Sequence, residues 1–205
     1  ENELDAMNMA KIFLSYMPSS INELPKKVIS KNNENKKNDF LLKKIPKIKR
    51  ETYDIYPIIN SIVDKNSFFE IGRKYGLSVI SGFARLDGYP IIIIANNPQI
   101  YGGGWTSNSS KKIIKIIDLA QVFHFPVLNL IDNPGFVIGR QAEKDATIKY
   151  GAKALAAIYQ LKVPVCSVIL RKVFGVAGAA HMNHTNFRYR LAWPSADWGS
   201  LPFEG

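Results

Sequence analysis

The positions of this chain that could do chemistry are three glycine-containing loops, and what they offer is mostly backbone. The first is Arg171-Lys172-Val173-Phe174-Gly175-Val176-Ala177-Gly178-Ala179-Ala180, after the apolar run 163–170. An apolar strand that breaks at a glycine and resumes in small residues leaves several N–H groups unpaired beside a tight turn, which can hold an oxyanion. Each such donor, aimed at a developing negative charge, supplies about 3 kcal/mol of transition-state stabilisation. The same pattern also serves plain close packing of a helix on a strand. The second loop, Asp132-Asn133-Pro134-Gly135-Phe136, follows an apolar run ending at Ile131. Pro fixes one backbone angle and Gly frees the next, so this loop is either a structural turn or a rigid approach of backbone to ligand. The third, residues 101–112, is glycine-rich and runs into a helix with Lys111 and Lys112 in its first turn. Lysines there oppose the helix dipole unless an anion sits nearby, so the loop is an anion site or a solvated surface loop.

Conventional catalytic sets are missing. No G-x-S-x-G elbow occurs, the Walker phosphate-loop spacing is absent, and the single Cys166 allows neither a C-x-x-C pair nor an internal disulfide. One cysteine suits a reducing compartment. His181 and His184 are three apart, with no acidic third ligand close in sequence, so no metal site is expected.

The elements that must position these loops change in pattern along the chain. Residues 4–17 read as a short helix with Leu4, Met7, Ala10, Ile12, Phe13 and Leu14 apolar, and residues 53–63 as a second with Ile55, Ile58, Ile59, Ile62 and Val63 on one side. Residues 78–86 and 90–95 predict two strands joined in a hairpin at Asp87-Gly88. Helix and buried strand then alternate: helix 108–123, strand 126–131, helix 143–160, strand 163–170 and a small-residue helix 176–182. Strands without polar alternation are covered on both faces, which predicts an α/β layered domain.

The net charge of +10 invites a nucleic-acid reading, but residues 26–50 hold ten Lys and Arg against Glu34 and Asp39. That stretch has Phe40 as its one aromatic, whereas single-strand binders interleave several stacking faces with their basic residues. It reads as a solvated linker, with a polyanion-binding module as the alternative. Neither a membrane span nor a signal peptide is expected from the apolar patterning.

Taken together and in order, the motifs resemble the carboxyltransferase (beta) subunits of biotin-dependent acyl-CoA carboxylases, the propionyl-CoA and acetyl-CoA carboxylase family. The resemblance begins at residues 12–20, Ile-Phe-Leu-Ser-Tyr-Met-Pro-Ser-Ser. It runs through Tyr53-Asp54, Ile62-Val63-Asp64, Phe68-Phe69-Glu70, Gly82-Phe83-Ala84-Arg85-Leu86 and Ala95-Asn96-Asn97-Pro98. It continues at Asp132 to Phe136, Gly151-Ala152-Lys153, Arg171-Lys172 and Ala192-Trp193-Pro194, and only the basic linker falls outside it.

The resemblance implies a crotonase-like spiral of ββα units in two halves, the first mainly holding acyl-CoA and the second carboxybiotin. Residues 1–25 would end the first half, 26–50 link the two, and 51–205 form a truncated second half. The implied reaction transfers a carboxyl group from carboxybiotin to the α-carbon of an acyl-CoA. Biotin arrives on a separate carrier, the coenzyme A thioester is the substrate, and the cofactor itself serves as base. By resemblance, Val176 and Ala177 supply N–H groups to the biotin carbonyl, Gly175 shapes the turn, and Pro134, Gly135 and Phe136 line the biotin pocket. Implied partners are a biotin carboxylase, a biotin carrier subunit and further copies of the full-length chain, without nucleic acid or membrane, in the cytoplasm or mitochondrial matrix. Met7-Asn8-Met9 lacks the acceptor lysine of the Met-Lys-Met of biotinylated carriers, so the chain is not the carrier. Val176 stands where many members have Gly, and Ala179 where members acting on short acyl chains often have Asp. A biotin-dependent decarboxylase running the same half-reaction in reverse is the alternative enzyme.

Overall fold

The computed structural model describes residues 2–30, 41, 43–181 and 188–201, with backbone alone at Arg188. The chain opens with helix α1 (Glu3–Tyr16) and a short α2 (Tyr56–Ile62), then enters a sheet. Strands β1 (Phe69–Ile71), β2 (Val79–Leu86) and β3 (Tyr89–Asn96) pair antiparallel. The expected hairpin closes through Asp87 and Gly88 at φ 49° and 78°, which matches the twist of the flanking strands.

Beyond β3 the sheet turns parallel. Helix α3 (Ser107–Phe123) leads to β4 (Val127–Asn133); helices α4 (Arg140–Lys144) and α5 (Thr147–Gln160) lead to β5 (Val165–Phe174). A five-residue helix α6 (Gly175–Ala179) follows directly. Strands β6 (Arg188–Ala192) and β7 (Asp197–Gly199) then pair with the first and last parts of β5, both parallel.

The period-2 alternation of β3 explains the two-layer core. Ile92 and Ile94 pack with α1, α3 and α5, while Ile91 and Ile93 pack with α2 and the chain around Ile45 and Tyr53. Fully covered strands are why the sequence shows unbroken apolar runs. Helix α1 packs through Phe13 and Tyr16, whose rings meet Phe83, and the Tyr16 hydroxyl donates to the Ser67 carbonyl. Leu4, Met7, Ile12 and Leu14 remain exposed. In the basic stretch, Lys27 pairs with Asp87 at 3.0 Å and Lys49 with Asp197 at 2.7 Å, and Ile45 is buried. Lys31, Lys36 and Lys37 lie outside the described residues.

Two boundaries differ from expectation. The helix expected over 143–160 is broken at Asp145-Ala146, where Ala146 takes φ 55°. The buried stripe Thr147, Gly151, Ala154 and Ile158 begins only after that break, whereas α4 buries nothing. Strand β5 does not stop at Leu170 but runs to Phe174, because the charges of Arg171 and Lys172 are accommodated within the sheet. The small-residue helix is correspondingly short.

Candidate site of backbone donors

Strands β4 and β5 are parallel neighbours, so the loops that follow them emerge side by side at the carboxyl end of the sheet, where α/β proteins collect ligand-binding loops. At the end of β5, Gly175 alone takes the left-handed conformation, with φ 61°. Val176 is already helical, so its branched side chain meets no backbone penalty, and it projects into solvent. Ala177 is fully buried. Among the described residues no side chain caps the first turn of α6, whose leading N–H groups have no acceptor within the helix. Close packing is present as well: a Cβ at Gly178 would lie 2.8 Å from the Val173 carbonyl carbon.

The loop after β4 is wired more heavily. Asn133 Oδ1 accepts from the Gly135 N–H at 2.9 Å, and Gly135 has φ 125°. The Gly135 carbonyl accepts from the Trp105 N–H, and the Val137 N–H donates to the Trp105 carbonyl. That parallel bridge leaves the Phe136 N–H pointing away from Trp105. The Phe136 ring lies edge-on to Trp105 and so close to α5 that a Cβ at Gly151 would stand 2.3 Å from it. Pro134 sits beside Gly102, and among the described residues a Cβ at Gly135 would meet the Phe174 carbonyl oxygen alone, at 3.9 Å. Gly135 and the residue before Gly175 thus bring the two loops together.

Between the loops lies a buried ion pair. Asp132 is completely buried and accepts from Arg171 Nε at 3.1 Å, from Nη2 at 3.0 Å and from the Lys172 N–H at 3.1 Å. Arg171 also donates through Nη1 to the Glu51 carbonyl and stacks over the Tyr53 ring. Burial, reinforced by the Asp132 charge, pushes the Tyr53 hydroxyl above the usual tyrosine range. The carboxylate is therefore consumed in holding β4 to β5. Burial and the neighbouring Arg171 lower the Lys172 amine from its ordinary value.

His181 is fully buried, and burial pushes its pKa down to about 3, so the ring is neutral at physiological pH. Its two nitrogens face the side-chain amides of Asn129 and Asn133 at 2.8 and 3.0 Å. His184 lies outside the described residues, among which no cluster of metal-ligating side chains occurs. The third loop does not offer its lysines to an anion: Lys112 Nζ donates to the Val79 carbonyl at 2.7 Å in the core, and Lys111 lies over the Tyr150 ring. Reciprocal capping between Thr106 and Ser109 satisfies that helix start instead.

Sequence reasoning brought Gly175, Val176 and Ala177 together with Pro134, Gly135 and Phe136, and the fold does juxtapose the two sets. It missed the roles of Asp132, Arg171, Asn129 and His181. The available signal was a lone Asn inside the apolar run 127–131, and opposite charges closing two successive buried strands.

The sequence matches the carboxyl transferase domain over residues 1–205. The chain belongs to the carboxyl transferase family. It is 32% identical over 198 residues to the carboxyltransferase subunit of propionyl-CoA carboxylase from Haloferax mediterranei, covering 96% of this chain and 38% of that protein. It is 30% identical over 198 residues to methylmalonyl-CoA decarboxylase subunit alpha of Veillonella parvula, covering 96% and 39%. Among solved structures, the transcarboxylase 12S hexamer with methylmalonyl-coenzyme A and methylmalonic acid bound superposes with a TM-score of 0.91 at 32% identity, over 96% of this chain and 38% of that one. The carboxyl transferase fold is thus the crotonase-like α/β architecture expected from the motifs. This carboxyl transferase chain spans a little over a third of the length of the relatives it matches. Among its described residues no helix is long and apolar enough to cross a membrane.

Proposed function

We propose that the full-length protein transfers a carboxyl group from carboxybiotin to the α-carbon of an acyl-CoA. The observation that carries this reading is the pairing of two loops at adjacent parallel strand ends, with uncapped N–H donors on one and an open glycine on the other. The carboxylate and imidazole beside them are already committed to hydrogen bonds. Such a site is built to place a reactant and stabilise charge on it, without a protein acid or base. Carboxybiotin on a separate carrier would supply both the carbon dioxide and the base for the α-proton.

In this reading the Val176 and Ala177 N–H groups hold the biotin carbonyl oxygen, and Gly175 sets their direction. Pro134, Gly135 and Phe136 wall the biotin pocket. Residues 51–205 form the biotin side, 26–50 the link, and 1–25 the end of the half that holds the coenzyme A thioester. A biotin carboxylase and a biotin carrier are the partners, and the full-length chain assembles with copies of itself, as transcarboxylase 12S does as a hexamer. The cytoplasm or mitochondrial matrix is the fitting compartment.

The test is a carboxylation assay of the full-length protein with active biotin carboxylase and carrier, across acetyl-, propionyl- and longer acyl-CoAs. Transfer to one of them is expected; transfer to none overturns the proposal. Likeness to the Veillonella decarboxylase subunit supports a second reading, removal of the carboxyl group from a malonyl-type CoA ester. Net decarboxylation of methylmalonyl-CoA with no net carboxylation would select it.

A further inference from the structure

His181 belongs to neither loop, yet it touches both. Its backbone N–H donates to the Gly178 carbonyl at the end of α6, and its carbonyl accepts from Ser167 Oγ at 3.0 Å. Its ring lies edge-on to Trp105, with centroids 5.0 Å apart, and reaches Asn133, the last residue of β4, at the start of the turn. The tautomer follows from bookkeeping of donors. Asn133 Oδ1 is taken by the Gly135 N–H, so the Asn133 amide nitrogen faces His181 Nε2, which must be the acceptor. A neutral imidazole then carries its proton on Nδ1, and the Asn129 amide must turn its oxygen to that proton. Among the described residues the Asn129 oxygen otherwise has no hydrogen-bond partner; the rotation gives it the Nδ1 proton and turns the amide nitrogen to the other, buried side.

We infer that His181, with its proton on Nδ1, is a positioning residue that ties the end of α6 to Asn133 and thereby to the Gly135 turn. It fixes the spacing between the two loops without touching a ligand. The functional side of this inference rests on the reading of the site as a biotin pocket; the tautomer does not.

Two measurements on the full-length protein test it. In the first, 15N spectra of histidine-labelled protein at pH 7 are expected to show His181 Nδ1 protonated and Nε2 bare. A proton on Nε2, or on both nitrogens, overturns the clamp. The second compares His181→Leu, Asn133→Val and the double variant, using carboxylated carrier and acyl-CoA as varied substrates. Removing one partner of a buried hydrogen bond is expected to raise KM for the carrier about tenfold while leaving KM for acyl-CoA unchanged. The double variant should be no worse than Asn133→Val alone, since His181 acts through Asn133, which also holds Gly135. A merely structural histidine would lower the folded fraction, and so kcat, with both KM values intact; that result, or additive losses, overturns positioning. Should Leu at 181 prevent folding, His181→Gln, which retains an acceptor for Asn133, is expected to keep the carrier KM within about threefold; a tenfold rise there also counts against it. Absence of all carboxyl transfer by the wild-type protein with active partners defeats the functional reading, while the 15N result stands or falls alone.

Discussion

The two loops of the candidate site are built in opposite ways. The turn after β4 is held by side chains, Asn133 on Gly135 and Asp132 on Arg171, and by the Trp105 backbone, which bridges to Gly135 and Val137. The turn after β5 has no side-chain cap among the described residues and is held by close packing of Ala177, Gly178 and Ala180. A loop whose turn is already fixed by its own hydrogen bonds keeps a set shape. One whose donors are left open can bind charge. In the proposed site the first loop is the wall and the second the source of electrostatics, so substitutions on each side should produce different kinds of damage.

Asp132→Ala attacks the wired side at its deepest point and should have the largest effect. It leaves the Arg171 guanidinium buried without its partner, at a cost of about 3–5 kcal/mol, read as a large drop in unfolding midpoint or loss of soluble protein. If the variant melts within a few degrees of wild type, the pair is not what holds β4 to β5. On the bare side, Ala177→Pro removes one donor in a first helical turn, where no intrahelical hydrogen bond is lost with it. Turnover should fall about 100- to 1000-fold while carrier binding stays close to wild type. Equal losses in turnover and binding would erase the distinction between the loops. Gly151→Ala pushes on the Phe136 ring from α5 and should cost about 1–3 kcal/mol as overpacking, accompanied by a weaker carrier KM. Unchanged stability would mean that Phe136 moves freely aside. The smallest effect is expected for Val176→Gly. Its side chain is 62% exposed and its N–H is retained, so turnover should hold within a few-fold and stability should fall by about 0.5–1 kcal/mol.

Much of this architecture was legible in the residues. The Asp87-Gly88 hairpin and the two-sided burial of β3 and β4 follow from turn chemistry and apolar runs, because both are local. The break at Ala146 was not, since α4 and α5 read as one helical pattern until burial shows that only the second packs. Nor was the extension of β5: a charge pair at strand ends looks like termination unless the partner on the neighbouring strand is known. The lysines of α3 misled for the same reason, for the carbonyl that Lys112 reaches lies 33 residues earlier in the chain. Gly175 was readable as a turn because a left-handed position favours glycine. His181 was not readable as a clamp, because its partners sit 52 and 48 positions away.

Distance along the chain also sets an order of assembly. The Arg171 contact with the Glu51 carbonyl spans 120 residues, whereas the β2–β3 hairpin closes over two. Loop-closure entropy places the hairpin early and the Arg171 tether late. A nascent chain halted between residues 96 and 171 can hold a formed hairpin without the Arg171 tether. The carboxyl end of the sheet is therefore secured after the hairpin, and the Glu51 carbonyl waits for its Arg171 donor until that moment.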